Sequence, residues 1–283
     1  MNSEAHEPTA VPEPVQLRSL SLSKGYMKKI FIIVLTFLFS LPLFADPKNI
    51  VYNETFDFSA IENLNISLTY ENLQISRIYG DEIVIEIGSN NIKKIPDVLM
   101  QDETLRIISK EQKSSRGYKC SVYVYLPQDF IAQTIELHNV SGTITADVLQ
   151  TQNAVLINNV SGRSDIKACQ TELFTASSVS GNLTLQKTAV DYFVLGSTSG
   201  NLFVELEGAP LATSQITNIS GKTQLYYPKT SNFEITAFAI SGSIKNNSSN
   251  NQNPGTNYQT TIGTGGPQLS ITSVSGKIEI VGY

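Results

Sequence analysis

Hydrophobic and polar positions recur along the second half of the chain with a period of about 20 residues, and each period carries one Ser-Gly pair. Successive pairs are separated by 20, 19, 19, 21, 21 and 34 residues. A near-constant step in this range is typical of repeat architectures. The pairs are Ser141-Gly142, Ser161-Gly162, Ser180-Gly181, Ser199-Gly200, Ser220-Gly221, Ser241-Gly242 and Ser275-Gly276.

The residues around each pair predict two short strands. After the glycine, hydrophobic and polar residues alternate, as in Leu183-Thr184-Leu185, which is typical of a strand with one buried face. Before the serine, apolar or β-branched residues stand one and four positions ahead, as at Val140 and Leu137, and we expect both positions to be buried. Because their separation is odd, the alternation must break, and a Ser-Gly bend or bulge explains the break.

A unit of two strands that meet at a corner is too small to bury its own apolar face. Stacking of successive units, with hydrogen bonds between coils about 4.8 Å apart, buries that face. The sequence therefore predicts an all-β fold, a single-chain β-solenoid (β-helix) of about 20-residue coils, with the Ser-Gly pairs as its structural corner. Small polar residues two positions before the serine, such as Asn139 and Ser178, predict either an Asn/Ser ladder between coils or turn formers.

The rest of the chain divides around these repeats. Residues 46–130 alternate without Ser-Gly pairs, which predicts an irregular β N-terminal part or cap of the solenoid. Residues 131–283 hold the regular repeats. An Asn/Ser/Gly/Thr-rich stretch at 246–267 accounts for the step of 34 residues, and its composition predicts a mobile loop insertion.

The N-terminal region has the pattern of an export signal. Two lysines, an apolar run and a small residue at Ala45 predict a signal peptide over residues 27–45, and the run is too short to span a membrane. Residues 1–26 predict a misplaced start or a disordered extension; the alternative is a natural extension that keeps the run as an internal anchor. We expect an extracytoplasmic protein, in the periplasm, at the cell surface or secreted, with no membrane span after cleavage.

Charge and cysteine content narrow the classes of partner. The formal net charge is −5 and no basic stripe occurs, which disfavours nucleic acid as a partner. Cys120 and Cys169 are the two cysteines, and the sequence leaves open a disulfide or two buried free thiols.

The repeat pattern does not place the histidine and carboxylate side chains that could act in catalysis close to one another. His138 is the single histidine after the export signal, has no cysteine or second histidine to share a metal, and is expected at the surface or in a turn. Asp147 and Glu205 share a register but lie three coils apart, while Asp165 and Asp191 fall in other columns. We therefore expect no enzyme, no cofactor and no metal site.

The repeated Val-Ser-Gly-x-Ile/Leu pattern, the strand 123–127 and the export signal together resemble the bacterial "putative adhesin" domain family of unknown function, over about residues 51–283. The resemblance implies an exported β-solenoid of the cell envelope and brings no catalytic residues. Members of that family more often carry Ser-Gly-Asp, whereas the residues here are Thr143, Arg163, Asn182, Asn201, Lys222, Ser243 and Lys277.

Together these observations predict a non-enzymatic, adhesin-like surface or periplasmic binding or scaffold protein. Its partner would be an unidentified protein or polysaccharide ligand at the cell envelope. The first alternative is a periplasmic envelope-stress or sensory accessory protein. The second is a carbohydrate-active β-helix enzyme.

Overall fold

The computed structural model describes residues 49–111, 116–247 and 255–283, and these residues form one sheet of 21 strands. Two short 3₁₀ helices, Phe58–Ala60 and Ile92–Lys94, interrupt it. The predicted segments 1–26 and 27–45 lie outside the described residues. In chain order the strands are β1 Ile50–Asp57, β2 Asn63–Leu68, β3 Asn72–Ile78, β4 Glu82–Ser89, β5 Asp97–Gln101, β6 Thr104–Ile108, β7 Cys120–Pro127, β8 Ala132–Asn139, β9 Thr143–Ala146, β10 Leu149–Asn159, β11 Arg163–Ile166, β12 Cys169–Ser178, β13 Asn182–Ser197, β14 Leu202–Leu206, β15 Ser214–Asn218, β16 Lys222–Tyr227, β17 Phe233–Ala239, β18 Ser243–Asn246, β19 Asn257–Ile262, β20 Gln268–Ser273 and β21 Lys277–Gly282.

The central coils stack by parallel pairing in register. Strand β10 pairs with β8 on one side and β12 on the other, and β12 pairs with the second half of β13. Beyond the corner, β11 pairs with β9 and with the first half of β13. Residues one repeat apart are therefore hydrogen-bonded neighbours, as Leu137, Ile157 and Ala176 are. This arrangement confirms the predicted all-β solenoid.

The order of the coils in space departs from the order in the chain at both ends. Strands β2 and β3 form a coil without a Ser-Gly pair, and it lies between β8/β9 and β6/β7. At the other end, β20/β21 lie between β15/β16 and β17/β18. The expectation that successive repeats occupy successive coils is therefore wrong for the last two repeats. The long connection between them lets the chain return one coil inward.

Antiparallel strands cover both ends of the stack. Strand β4 pairs with β7, β1 with β4, and β5 with β6; at the other end β19 pairs with β17. The prediction of a mobile loop at 246–267 is wrong for Asn257–Ile262, because pairing with β17 satisfies the backbone groups of this segment. Residues 248–254 lie outside the described residues.

The core is a continuous column of branched aliphatic side chains between the strands, and its largest fully buried members are Tyr227, Phe130, Phe174, Phe193 and Phe233. Full burial of each such side chain contributes about 1.5–3 kcal/mol. The ring of Tyr227 packs edge-on against that of Phe233, with the centroids 5.3 Å apart. Within the described ranges, no helix is long and apolar enough to cross a membrane.

Candidate functional site

The Ser-Gly pairs form one column along an edge of the stack. A Cβ added to Gly200 would lie 1.7 Å from the carbonyl oxygen of Gly181, and one added to Gly242 would lie 1.8 Å from that of Gly276. Glycine is therefore required by the close approach of neighbouring coils. The serines follow one another in space in the order Ser141, Ser161, Ser180, Ser199, Ser220, Ser275 and Ser241.

At five of the seven corners, the polar residue two positions before the serine points inward and caps the glycine of its own coil; these residues are Asn139, Asn159, Ser178, Ser197 and Ser273. Gly142 N–H donates to Asn139 Oδ1 over 2.9 Å, and Gly181 N–H donates to Ser178 Oγ over 2.9 Å. Such contacts are those of turn formers rather than of a ladder between coils. Asn218 differs from these residues, because its Nδ2 donates to the Gly200 carbonyl of the neighbouring coil, at 3.2 Å, and so joins two coils.

A ladder between coils occurs instead one position after the glycine. The Oδ1 atom of Asn182 accepts from Asn201 N–H at 3.0 Å, and Asn201 Oδ1 accepts in turn from Lys222 N–H at 3.0 Å. In the same way, Asn72 Oδ1 accepts a hydrogen bond from Thr143 N–H. The asparagines of this column supply neutral acceptors to the backbone of the next coil.

The β-branched residue just before each serine is exposed, so the expectation that it is buried is wrong. Val160 keeps 45% and Ile240 61% of its surface accessible. The inward position belongs to the preceding residue, Asn159, whose Oδ1 must reach Gly162 N–H, and strand alternation then turns the next side chain outward. We call this exposed column the corner ridge; in spatial order it consists of Val140, Val160, Val179, Thr198, Ile219, Val274 and Ile240.

Uncharged columns flank the corner ridge on both sides. On one side the serine hydroxyls donate to carbonyls of the neighbouring coil, as Ser161 Oγ does to Val140 O at 2.9 Å. On the other side, a shallow groove of about 410 Å³ runs along the ridge from Val160 to Ile219. Asn158, Ser177, Gly196 and Thr217, each three positions before a serine, line this groove. The residues at this offset in all seven repeats include no Asp, Glu, Lys or Arg; they are His138, Asn158, Ser177, Gly196, Thr217, Phe238 and Thr272.

His138 lies on this surface, in agreement with the sequence pattern. Its Nδ1 is 3.1 Å from the Nδ2 of Asn158, and its Nε2 is 3.9 Å from a carboxylate oxygen of Glu136. These neighbours orient the imidazole at the N-terminal end of the ridge. In the ranges that the structure describes, no group of three or more His, Cys, Asp or Glu residues is placed to hold a metal ion.

The carboxylates singled out from the sequence are dispersed. Asp147 accepts a hydrogen bond from the Lys167 ammonium at 2.6 Å, and Asp165 pairs with the guanidinium of Arg163 at 2.5 Å. Both pairs are on the surface, where such interactions contribute about 0–1 kcal/mol.

A second groove, of about 530 Å³, lies on another side of the stack. Asp191 contributes to its lining together with Glu172 and Glu207. Glu172 and Asp191 share an offset of eight residues before Ser180 and Ser199, a signal that the sequence analysis missed, whereas Glu207 stands at a different offset. The backbone carbonyl of Asp191, rather than its carboxylate, has defined partners here: it accepts from the N–H groups of Leu211 and Ala212 at 2.7 and 2.9 Å.

The two cysteines are buried free thiols. Burial raises the pKa of Cys169 to about 12 and that of Cys120 to about 11. Both groups therefore remain protonated at neutral pH, and a protonated, buried thiol is a poor nucleophile. The thiols therefore offer no reactive site, whereas the corner ridge is an exposed feature that recurs in all seven Ser-Gly repeats.

Several solved structures are similar to this chain at low sequence identity. A "putative cell adhesion protein" from Clostridium sporogenes is 15% identical, with 82% of this chain and 99% of that chain covered and a TM-score of 0.36. A "putative adhesin" from Bacteroides fragilis is 12% identical, with 82% of this chain and 96% of that chain covered and a TM-score of 0.44. A "putative lipid binding protein" from Parabacteroides distasonis is 14% identical, with 81% of this chain and 96% of that chain covered and a TM-score of 0.43.

No curated protein matches the chain. A family model does match, over residues 61–208, which is just over half of the chain. The matched segment runs from the coil of β2 and β3 to the end of β14 and contains four of the seven Ser-Gly pairs. The chain belongs to the Toastrack DUF4097 family.

Proposed function

We propose that this chain is a non-enzymatic, adhesin-like binding protein of the cell envelope whose ligand lies along the corner ridge. The observation that carries the proposal is the exposure of six aliphatic side chains, one per coil, in a strip flanked by uncharged residues. Contiguous exposed apolar surface with a polar border is typical of interaction sites.

The chemistry of the strip suits an uncharged, extended ligand. Valine and isoleucine have few rotamers, so their ordering on binding costs little entropy. The absence of charges from the three named columns limits the desolvation cost of covering them. Because equivalent side chains recur about every 4.8 Å, a long ligand would contact several coils at once. A neutral polysaccharide strand or an extended protein segment at the envelope has this form.

The direct test is retention of the purified protein on a panel of insoluble polysaccharides and immobilised matrix proteins. Cellulose, chitin, peptidoglycan sacculi, collagen and fibronectin represent the two ligand classes. We expect at least one of these to retain the protein, and the double variant Val160→Lys/Val179→Lys to bind at least about tenfold more weakly, since two ammonium groups would be placed in the neutral strip. The matched control is Ile131→Lys/Leu211→Lys, which changes two aliphatic residues outside the ridge that are at least as exposed as Val160 and Val179.

Equal retention of the ridge variant and the control variant on the ligand that binds would overturn the role of the ridge. Failure of every panel member to retain the unaltered protein would overturn the adhesin-like proposal. The envelope location has its own test: an externally added protease should degrade the protein on intact cells if it is displayed at the surface. Protection until the outer layer is permeabilised would place it in the periplasm and favour the accessory role.

A further inference from the structure

Within residues 49–111, 116–247 and 255–283, one edge of the sheet has no partner strand at the N-terminal end of the stack. Among the described residues, β5 pairs with β6 alone. Its middle residues are Val98, Leu99 and Met100, and Leu99 and Met100 keep 50% and 41% of their surface exposed. Proteins usually blunt such an edge with charges or proline within the strand. The other outer strand at this end, β1, has Glu54 in its interior, whereas the single charged residue of β5 is Asp97 at its start.

We propose that β5 pairs in antiparallel orientation with β5 of a second copy of this chain, centred on Leu99. The sequence of β5 is self-complementary in this register. Leu99 faces its own counterpart, Val98 faces Met100, and Asp97 faces Gln101, so no like charges oppose each other across the two-fold axis. Paired apolar residues on facing antiparallel strands stabilise a sheet, whereas like charges at facing positions destabilise it.

The charges that flank β5 agree with the same register. Asp102 and Glu103 form the turn between β5 and β6, both with positive φ, 48° and 57°. Lys93 and Lys94 precede the other end of β5 in a 3₁₀ helix. Antiparallel pairing centred on Leu99 brings the acidic turn of each copy to the lysine-bearing end of the other. Two sets of attractive contacts therefore form, one at each end of the paired strands, and they favour the antiparallel orientation over a parallel one.

This inference is independent of the ligand-binding role, because no residue of the corner ridge lies on β5 or β6. The two proposals can therefore fail separately. Pairing through β5 continues the sheet from one copy into the next and satisfies the outward backbone groups of that strand.

The first experiment is sedimentation equilibrium of the purified protein and of charge variants at position 99. We expect a dimer for the unaltered chain and at least about tenfold weaker association for Leu99→Lys and for Leu99→Glu, because each variant opposes like charges at the two-fold axis. An equimolar mixture of these two variants should restore association by pairing opposite charges. The ridge variant Val179→Lys is the matched control, and it should dimerise like the unaltered protein.

The second experiment tests the register. Leu99→Cys should form an intermolecular disulfide on mild oxidation, since directly opposed residues on antiparallel strands have Cβ atoms within disulfide reach. The native Cys120 and Cys169 are buried and do not compete. Tyr79→Cys, at a more exposed position away from β5, is the control and should stay unlinked. A monomeric unaltered protein, failure of the mixed charge variants to associate, or equal cross-linking of both cysteine variants would overturn the proposal.

Discussion

The backbone of Gly142 occupies the space that a side chain of Gly162 would need: a Cβ on Gly162 would lie 1.9 Å from the Gly142 carbonyl oxygen. The obstructing atom belongs to the backbone, which cannot rotate away as a flexible side chain could. The contact joins two coils rather than two residues of one turn. Spacing between the Ser-Gly coils is therefore set at the corner, and it stays uniform only while each of the seven glycine positions lacks a Cβ.

Gly162→Ala should destabilise the protein by about 3 kcal/mol, because the coils must separate locally to admit the methyl group. The free energy of unfolding from urea denaturation measures the effect. Gly196→Ala is the control, since a Cβ at Gly196 meets nothing within 4 Å, and its effect should stay within about 0.5 kcal/mol. Comparable losses from the two variants would show that close packing at the corner is not the cause.

Two neighbouring serines of β12 differ in what their hydroxyls do. Ser178 Oγ is buried and accepts the Gly181 N–H, whereas Ser177 Oγ is exposed and donates to Asn158 Oδ1 at 2.6 Å. Ser178→Ala should cost about 1–3 kcal/mol by leaving the glycine N–H without an acceptor. Ser177→Ala should cost less than about 0.5 kcal/mol in the same denaturation assay. The reverse ranking would contradict the capping role.

The exposure of the corner ridge can be tested with two valines of one repeat. Val155 is fully buried, whereas Val160 is nearly half exposed. Val155→Ala should lower the free energy of unfolding by about 2 kcal/mol through the lost transfer energy and the cavity left behind. Val160→Ala should change it by less than about 0.5 kcal/mol. A large loss at Val160 would mean that the ridge is packed rather than open.

The ion pair between Lys222 and Glu279 gives a dependence of stability on pH. The hydrogen bond and charge of Lys222, 2.6 Å away, lower the pKa of Glu279 below its usual value. Because the folded-state pKa is the lower one, the contribution is present above the unfolded-state pKa and is lost as pH falls through the folded value. Glu279→Gln should therefore destabilise by about 0.5 kcal/mol near neutral pH and have no such effect in strong acid.

Chemical denaturation at several pH values between neutrality and about pH 3 measures this difference. The Lys222→Met variant should lose the same pH-dependent part, and the double variant should lose no more of it than either single variant. A destabilisation by Glu279→Gln that persists unchanged in acid would have to come from packing instead.

The sequence predicted the coils because each repeat satisfies local rules that do not depend on its neighbours. Alternation marked the strands, and glycine marked the corner at which two coils approach. The inward position was assigned incorrectly because valine at 160 is more apolar than asparagine at 159. Hydrophobicity alone does not register that a buried glycine N–H needs an acceptor, and this need places the Asn159 side chain inside.

The ends of the stack were harder to predict, since their arrangement depends on pairings that local pattern does not encode. The coil of β2 and β3 has Tyr70 and Glu71 where other coils have serine and glycine. The buried Glu71 carboxylate accepts the N–H groups of Thr69 and Tyr70 and so completes this corner by different means. Its alternation, Leu64, Ile66 and Leu68, was the one signal that could have identified it as a further coil.

The central claim is that the Ser-Gly corners form a single column in which the last repeat of the chain lies one coil inside the preceding repeat. Ser273, the residue before Val274, lies opposite Asn218 on one side and Ala239 on the other. The coil of β20 therefore lies between those of β15 and β17. Disulfide trapping between cysteine pairs on the corner ridge tests this order directly. Adjacent coils are about 4.8 Å apart, within disulfide range, and coils two steps apart are not.

We expect the pair Ile219→Cys/Val274→Cys to form an intramolecular disulfide on mild oxidation, and the pair Ile219→Cys/Ile240→Cys to remain reduced. Mass spectrometry of peptides from the unreduced protein distinguishes these results. Linkage of positions 219 and 240 without linkage of 219 and 274 would mean that the repeats stack in chain order, and linkage of neither pair would contradict a single column of corners.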